Sequence, residues 1–161
     1  MRHVAIGLVV ALSLSVQATA FAQGKPDFSG SWVFNQGKSG RGTSGNSPTL
    51  PFPSEIEVKQ TPTEVTVAVA TVRQKPVVAA YKLDGSPVKV EMTGGVSETS
   101  EARVDGSNLV ITSRRTFPSP IGEVVVNFKE VWTLDGNALT IEKTRSTDLE
   151  NTSAKAVFDK K

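Results

Sequence analysis

The chain contains no cysteine and a single histidine, His3. Without thiols there can be no disulfide, so whatever fold forms must be held by its core alone. Zinc and copper centres draw on Cys and His, and serine or cysteine nucleophiles draw on a His base. With His3 lying in the leader described below, none of these constellations can be assembled from the remainder. A carboxylate pair or a Ser-Lys dyad stays open in principle, but no spacing points to one, and there is no glycine-rich phosphate loop, heptad or nucleotide fingerprint. The sequence therefore predicts no enzyme, no metal and no cofactor. Charge excess is equally scarce, with 18 basic against 16 acidic side chains. A pI near 9.0 then reflects a small surplus of bases, and not a stripe that would bind nucleic acid or an anionic membrane. Aromatic residues make up 6% of the chain, with Tyr81 the single tyrosine, which argues against a large pocket for a planar cofactor.

Long apolar runs are also missing after the first residues. Val4 to Val16 is mostly apolar but too short for the roughly 20 residues a spanning helix needs. Arg2 and His3 precede it, and Ala20-Phe21-Ala22 follows with the small residues a signal peptidase requires. Residues 1–22 are thus expected to be a signal peptide cleaved after Ala22, leaving residues 23–161 as one domain of a secreted or periplasmic protein with no membrane span. A chain of that length suffices for a single core.

What is abundant is alternation. Nearly every segment after residue 29 alternates apolar and polar positions between Gly, Pro, Asn or Asp, the pattern of half-buried antiparallel strands. Strands are expected near 30–35, 54–60, 64–72, 77–83, 87–93, 97–104, 108–117, 123–134, 138–147 and 154–159. The Gly/Ser/Pro-rich stretch "NQGKSGRGTSGNSPTLPFP", residues 35–53, is expected to be a long flexible loop. Three turns carry Asp-Gly between apolar runs, at residues 83–86, 104–107 and 134–137, and each reads as a hairpin. Two of them head a repeat, "DGSNLVITSRRT" and "DGNALTIEKTRS", which matches Arg115 with Arg145. Consecutive hairpins describe an up-and-down meander. About 8–10 such strands close into an all-β barrel, because closure removes exposed edges.

Gly30-Ser31-Trp32 at the start of the first strand of such a meander is similar to the opening of the calycins, the group of lipocalins, fatty-acid-binding proteins and avidins. "DFSGSW" with Asn35 and Lys38-Ser39 also resembles the opening of small exported bacterial proteins described as lipocalin-like. The resemblance implies a barrel in which the Trp plugs one end under a basic side chain, here Arg145, Lys155 or Lys160. Asn35 and Ser39 share the spacing of two avidin ligand contacts, but they stand one residue further from the Trp, which reverses the face. Trp32 and Trp132 are also too few for a tryptophan box, so biotin binding is excluded.

The apolar parity defines the expected interior: Trp32 and Phe34; Ile56 and Val58; Val65, Val67 and Val69; Ala79, Tyr81 and Leu83; Ala102 and Val104; Leu109 and Ile111; Val124, Val126, Phe128, Trp132 and Leu134; Leu139 and Ile141. Polar residues interrupt it. Glu130 falls between Phe128 and Trp132, Lys143 and Arg145 follow Ile141, and Arg115 occupies the repeat position. Glu130 should stand opposite or diagonal to Lys143. Two arginines with only Glu130 to neutralise them would leave a positive interior for a carboxylate or phosphate head group. This resembles the internal arginines and tyrosine of fatty-acid-binding proteins, with Tyr81 in that place. The expected function is binding of a small apolar or amphipathic, anionic ligand in the barrel by Arg115, Arg145, Lys143, Glu130 and Tyr81. The alternative is a protein-interaction or envelope-associated β module without a small-molecule ligand.

Overall fold

The structure is a computed structural model and describes residues 25–40, 50, 52–70, 76–120 and 122–161. The ten strands read from the alternation are all present. They are β1 (Gly30–Phe34), β2 (Glu55–Gln60), β3 (Glu64–Val69), β4 (Val77–Lys82), β5 (Val88–Glu91), β6 (Ser97–Asp105), β7 (Asn108–Ser119), β8 (Gly122–Asp135), β9 (Ala138–Ser146) and β10 (Asn151–Lys160). A short 3-10 turn, Thr93–Gly95, joins β5 to β6. The leader, residues 1–22, and residues 41–49 and 51 of the long loop lie outside the described residues, so its expected flexibility is untouched by them.

All ladders are antiparallel, in the order β4-β3-β2-β1-β10-β9-β8-β7-β6-β5. The first and last strands pair, Trp32 opposite Lys160 and Phe34 opposite Phe158, so the sheet curls into a nearly closed barrel. Its one split lies between β4 and β5. The Asp84-Gly85 turn there is not the hairpin its sequence promised. Asp84 instead bridges to Arg103 of β6, and the Gly85 amide donates to the Ala102 carbonyl at 3.0 Å, which pins the lower end and lets β4 and β5 diverge above it. The other two Asp-Gly turns do make hairpins, each with two loop residues. Asp105 pairs with Asn108 and Asp135 with Ala138, and Gly106 and Gly136 take the left-handed φ of +60° and +58° that a tight hairpin demands.

The core follows the expected parity, with Trp32, Val58, Val65, Leu109, Leu139 and Phe158 almost fully buried. Val110, of outward parity, is also buried, and three further departures have plain causes. Val124 points inward by parity but is 46% exposed, standing near the start of β8 opposite Phe117 of β7, away from the buried core. Val157 has the outward parity yet is buried, since Asn35–Gly40 straps across β10. The Asn35 amide donates to the Val157 carbonyl, that of Gly40 to Lys155, and the Ser39 hydroxyl accepts from the Val157 amide at 3.0 Å. Lys38 and Asn35 also hydrogen-bond Asp159 and hold its carboxyl below the usual range. Asn35 and Ser39 are therefore structural. The third departure is Phe28, fully buried although it precedes the first strand.

Phe28 belongs to a plug at the closed end. Gln60 accepts from the Phe28 amide at 3.0 Å and donates to the Pro26 carbonyl at 2.8 Å. The Trp32 indole donates to the Phe28 carbonyl at 3.0 Å, and Phe28 meets Trp132 edge to face at 6.3 Å. Lys160 covers the Trp32 ring at 5.4 Å and is the basic partner among the three candidates. Gly30 makes that contact possible. Its φ is +146°, and a Cβ there would lie 3.0 Å from Lys160 Cε.

Candidate functional site

The register writes the interior as cross-strand rows. One runs Ala102, Ile111, Glu130, Lys143, Ala154; the next Ser100, Ser113, Phe128, Arg145, Thr152; and above it Glu98, Arg115, Val126. Successive rows stand two residues apart along each strand, so polar residues of neighbouring strands gather over three rows of one interior face.

Glu130 and Lys143 are direct cross-strand partners, with Lys143 Nζ 2.9 Å from Glu130 Oε1. The other carboxylate oxygen accepts from the Trp132 indole at 2.9 Å. Two rows higher, Arg115 Nε donates to Glu98 Oε2 at 2.6 Å, and its terminal NH2 group meets the same oxygen. Ser100 donates to the second Glu98 oxygen at 3.2 Å and shares a 2.8 Å hydrogen bond with Ser113. Phe128 lies between the pairs, with the Arg115 guanidinium 5.4 Å and the Lys143 ammonium 5.5 Å from its ring centroid, a favourable cation-π arrangement. Arg145 reaches outward to Glu150 at 2.8 Å. Burial pushes the Tyr81 phenol well above its ordinary range, and the charges of Glu130 and Glu98 add to that, against a smaller opposing effect of Arg115.

Two connected cavities result. The upper, about 340 Å³, is lined by Leu50, Tyr81, Glu98, Ile111, Ser113, Arg115, Phe128, Glu130, Lys143 and Arg145. The lower, about 190 Å³, is bounded by apolar side chains including Phe52, Ile56, Val67, Trp132, Ile141 and Phe158, and it shares Tyr81, Glu130 and Lys143 with the upper. The lower is mainly apolar and the upper carries most of the charge. A larger concavity of about 480 Å³ lies against β6–β9, lined mainly by outward-facing residues such as Thr99, Arg114, Asn127 and Lys129. It is an open solvated face and lacks the buried, converging polar groups of the interior.

All five ligand-binding candidates of the sequence, Tyr81, Arg115, Glu130, Lys143 and Arg145, line the upper cavity. The expectation that Glu130 alone would offset the arginines is corrected by Glu98 and Glu150. Each supplies a further carboxylate. Glu98, Ser100, Leu50 and Thr152 escaped sequence reasoning, whereas Ser113 falls on the inward series between Ile111 and Arg115. The parity of Ala102 and Val104 extended backwards through "SETSEAR" would have found Glu98 and Ser100. Among the described residues no cluster of His, Cys, Asp or Glu could hold a metal, and no helix is long and apolar enough to cross a membrane.

No protein-family model and no curated protein sequence matches the chain. Among solved structures it is similar to the zebrafish ileal bile acid-binding protein complexed with cholic acid. That likeness has a TM-score of 0.55 and 16% identity over 83% of this chain and 98% of the other. A second likeness is to the fatty-acid-binding protein of Manduca sexta, with a TM-score of 0.42 and 17% identity over 65% of this chain and 71% of that one. The first, spanning nearly the whole of the zebrafish chain, shares the fold, a nearly closed antiparallel barrel of the kind that the resemblance of Gly30 and Trp32 implied.

Proposed function

We propose that this calycin-type barrel is an exported carrier or sensor that takes one small amphipathic molecule tail-first, with an anionic head held among Arg115, Lys143 and Arg145. The observation that carries the reading is the stacking of a charged cavity directly on an apolar one, both inside the barrel and joined at Tyr81, Glu130 and Lys143. The upper volume lies at the lower end of the range usual for small-molecule pockets and the lower cavity is smaller still, which favours a slender, medium-length tail. The zebrafish neighbour, complexed with cholic acid, supports an amphipathic acid as the class to test. Export rests on the leader sequence, and the role proposed is binding without turnover.

The test is titration calorimetry with decanoate and decan-1-ol against the parent protein and its Arg115→Gln, Arg145→Gln and doubly substituted forms. Both compounds should bind the parent, decanoate more tightly, and the double substitution should abolish the preference. No binding of either compound would defeat the reading.

A second reading has its own observation. The diverging edges of β4 and β5 expose Val77, Val78 and Val90, each more than half accessible, and an open edge beside apolar side chains suits addition of an extended peptide strand. A Val90→Pro substitution that abolished capture of a cellular protein, with decanoate binding intact, would favour it.

A further inference from the structure

The three cations of the upper cavity are not equally free. Arg115 and Lys143 each face a carboxylate inside the barrel, on the adjacent strand and in direct register. Glu98 is held in addition by Ser100, and Glu130 by the Trp132 indole. Their side chains are only 14% and 22% exposed. Drawing either cation toward a ligand would strand an interior carboxylate, which is strongly unfavourable.

Arg145 is different. Its carboxylate partner, Glu150, is 55% exposed and sits on the turn between β9 and β10. That turn is closed by its own bonds, the Thr147 amide donating to the Glu150 carbonyl and the Thr147 hydroxyl accepting from the Leu149 and Glu150 amides. The Glu150 side chain can therefore rotate into water without the turn reorganising. Directly across the ladder from Arg145, on the same interior face, stands Thr152. It is 2% exposed, and its hydroxyl has no hydrogen-bond partner among the described residues. A buried polar group left unpartnered is costly, and this one adjoins Arg145, which lines the upper cavity. Charge counting agrees. With Glu150 turned away, Arg115, Lys143 and Arg145 outnumber Glu98 and Glu130 by one, so one negative charge neutralises the cavity.

We infer that Arg145 and Thr152 form the seat for a ligand head group carrying a single negative charge, and that Glu150 is a built-in counter-ion which holds Arg145 until the ligand displaces it. Arg115 and Lys143 then flank the head group from their fixed pairs, and Arg145 is the cation released to bond it directly. This deepens the ligand-binding reading above and rests on it.

Decanoate and decan-1-ol serve as probes for the parent, Glu150→Gln, Arg145→Gln, Thr152→Val and Arg115→Gln forms, with calorimetry at low ionic strength. Glu150→Gln changes an exposed side chain and leaves the turn's backbone bonds in place, so it is the leading variant. Releasing an exposed ion pair should tighten decanoate roughly two- to fivefold and leave decan-1-ol unchanged. Arg145→Gln should erase the preference for the acid. Thr152→Val should weaken decanoate alone without lowering the melting temperature, since the hydroxyl it removes makes no bond. Decanoate binding that is unchanged or weaker in Glu150→Gln, or a preference that survives Arg145→Gln and disappears in Arg115→Gln, overturns the seat while leaving the barrel a ligand-binding protein. Failure of every form to bind either probe overturns both.

Discussion

Replacing Trp32 tests the closed end of the barrel and separates its interactions. The side chain is 1% exposed, its indole nitrogen donates to the Phe28 carbonyl at 3.0 Å, and Lys160 lies over the ring at 5.4 Å. Trp32→Ala empties the largest fully buried side chain of the core and should cost about 3 to 5 kcal/mol. Trp32→Phe keeps most of the buried ring and the cation contact but leaves the Phe28 carbonyl without its donor, which should cost about 1 to 3 kcal/mol. Lys160→Met keeps the aliphatic stem against Gly30 and removes only the charge, so its effect should be the smallest of the three. Urea denaturation measures all of them, and in both Trp32 variants Trp132 becomes the sole tryptophan reporter, since the chain has two. A Trp32→Ala midpoint equal to the parent's, with an equal denaturant slope, would refute the reasoning, because a core plug cannot be removed without loss.

Two further outcomes follow from the interior charges. Lys143→Met leaves Glu130 with the Trp132 indole alone, and because both partners keep some solvent contact the loss should be about 2 to 3 kcal/mol, below the full range for a buried pair. Adding Glu130→Gln should restore most of it, as read by thermal denaturation, and a double variant no more stable than the single would contradict the pairing. Tyr81 is the single tyrosine, so alkaline difference absorbance reports it alone. Its raised folded pKa gives stability that is full below the ordinary tyrosine value and falls as pH rises through it toward the folded value. Ionisation should coincide with alkaline unfolding, and a free titration near the ordinary value in the folded protein would show the phenol to be solvated.

The strands were legible because period-two alternation between turn residues is a direct image of a pleated, half-buried surface. The same parity placed Arg115, Glu130, Lys143 and Arg145 inside, since a strand that buries Leu109 and Ile111 has no choice about Arg115 unless it bulges. Glu98 was less legible. It precedes Ala102 by four residues in a segment with no apolar anchor, and only the register with β7 shows that it meets Arg115. The split between β4 and β5 was hidden by an ordinary Asp-Gly signature, because the choice between a hairpin and a bridge to Arg103 is made by a strand two elements away. Phe28 and Gln60 were invisible for a related reason. Phe28 precedes the first strand and Gln60 is a polar residue ending the inward series Ile56, Val58 of β2, and their plug exists only once the barrel end that they close has formed.

The central claim is that an amphipathic ligand lies inside the barrel, tail toward Ile111 and Ile141. Intermolecular nuclear Overhauser effects between the decanoate chain and methyl-labelled protein test it most directly. The account predicts contacts from the chain to the methyls of Val67, Ile111 and Ile141, which face the interior, and none to those of Val33 or Val78, which face out and are exposed. Contacts confined to Val33, Val78 or the rim residues Val90 and Leu149, with Ile111 and Ile141 silent, would contradict it.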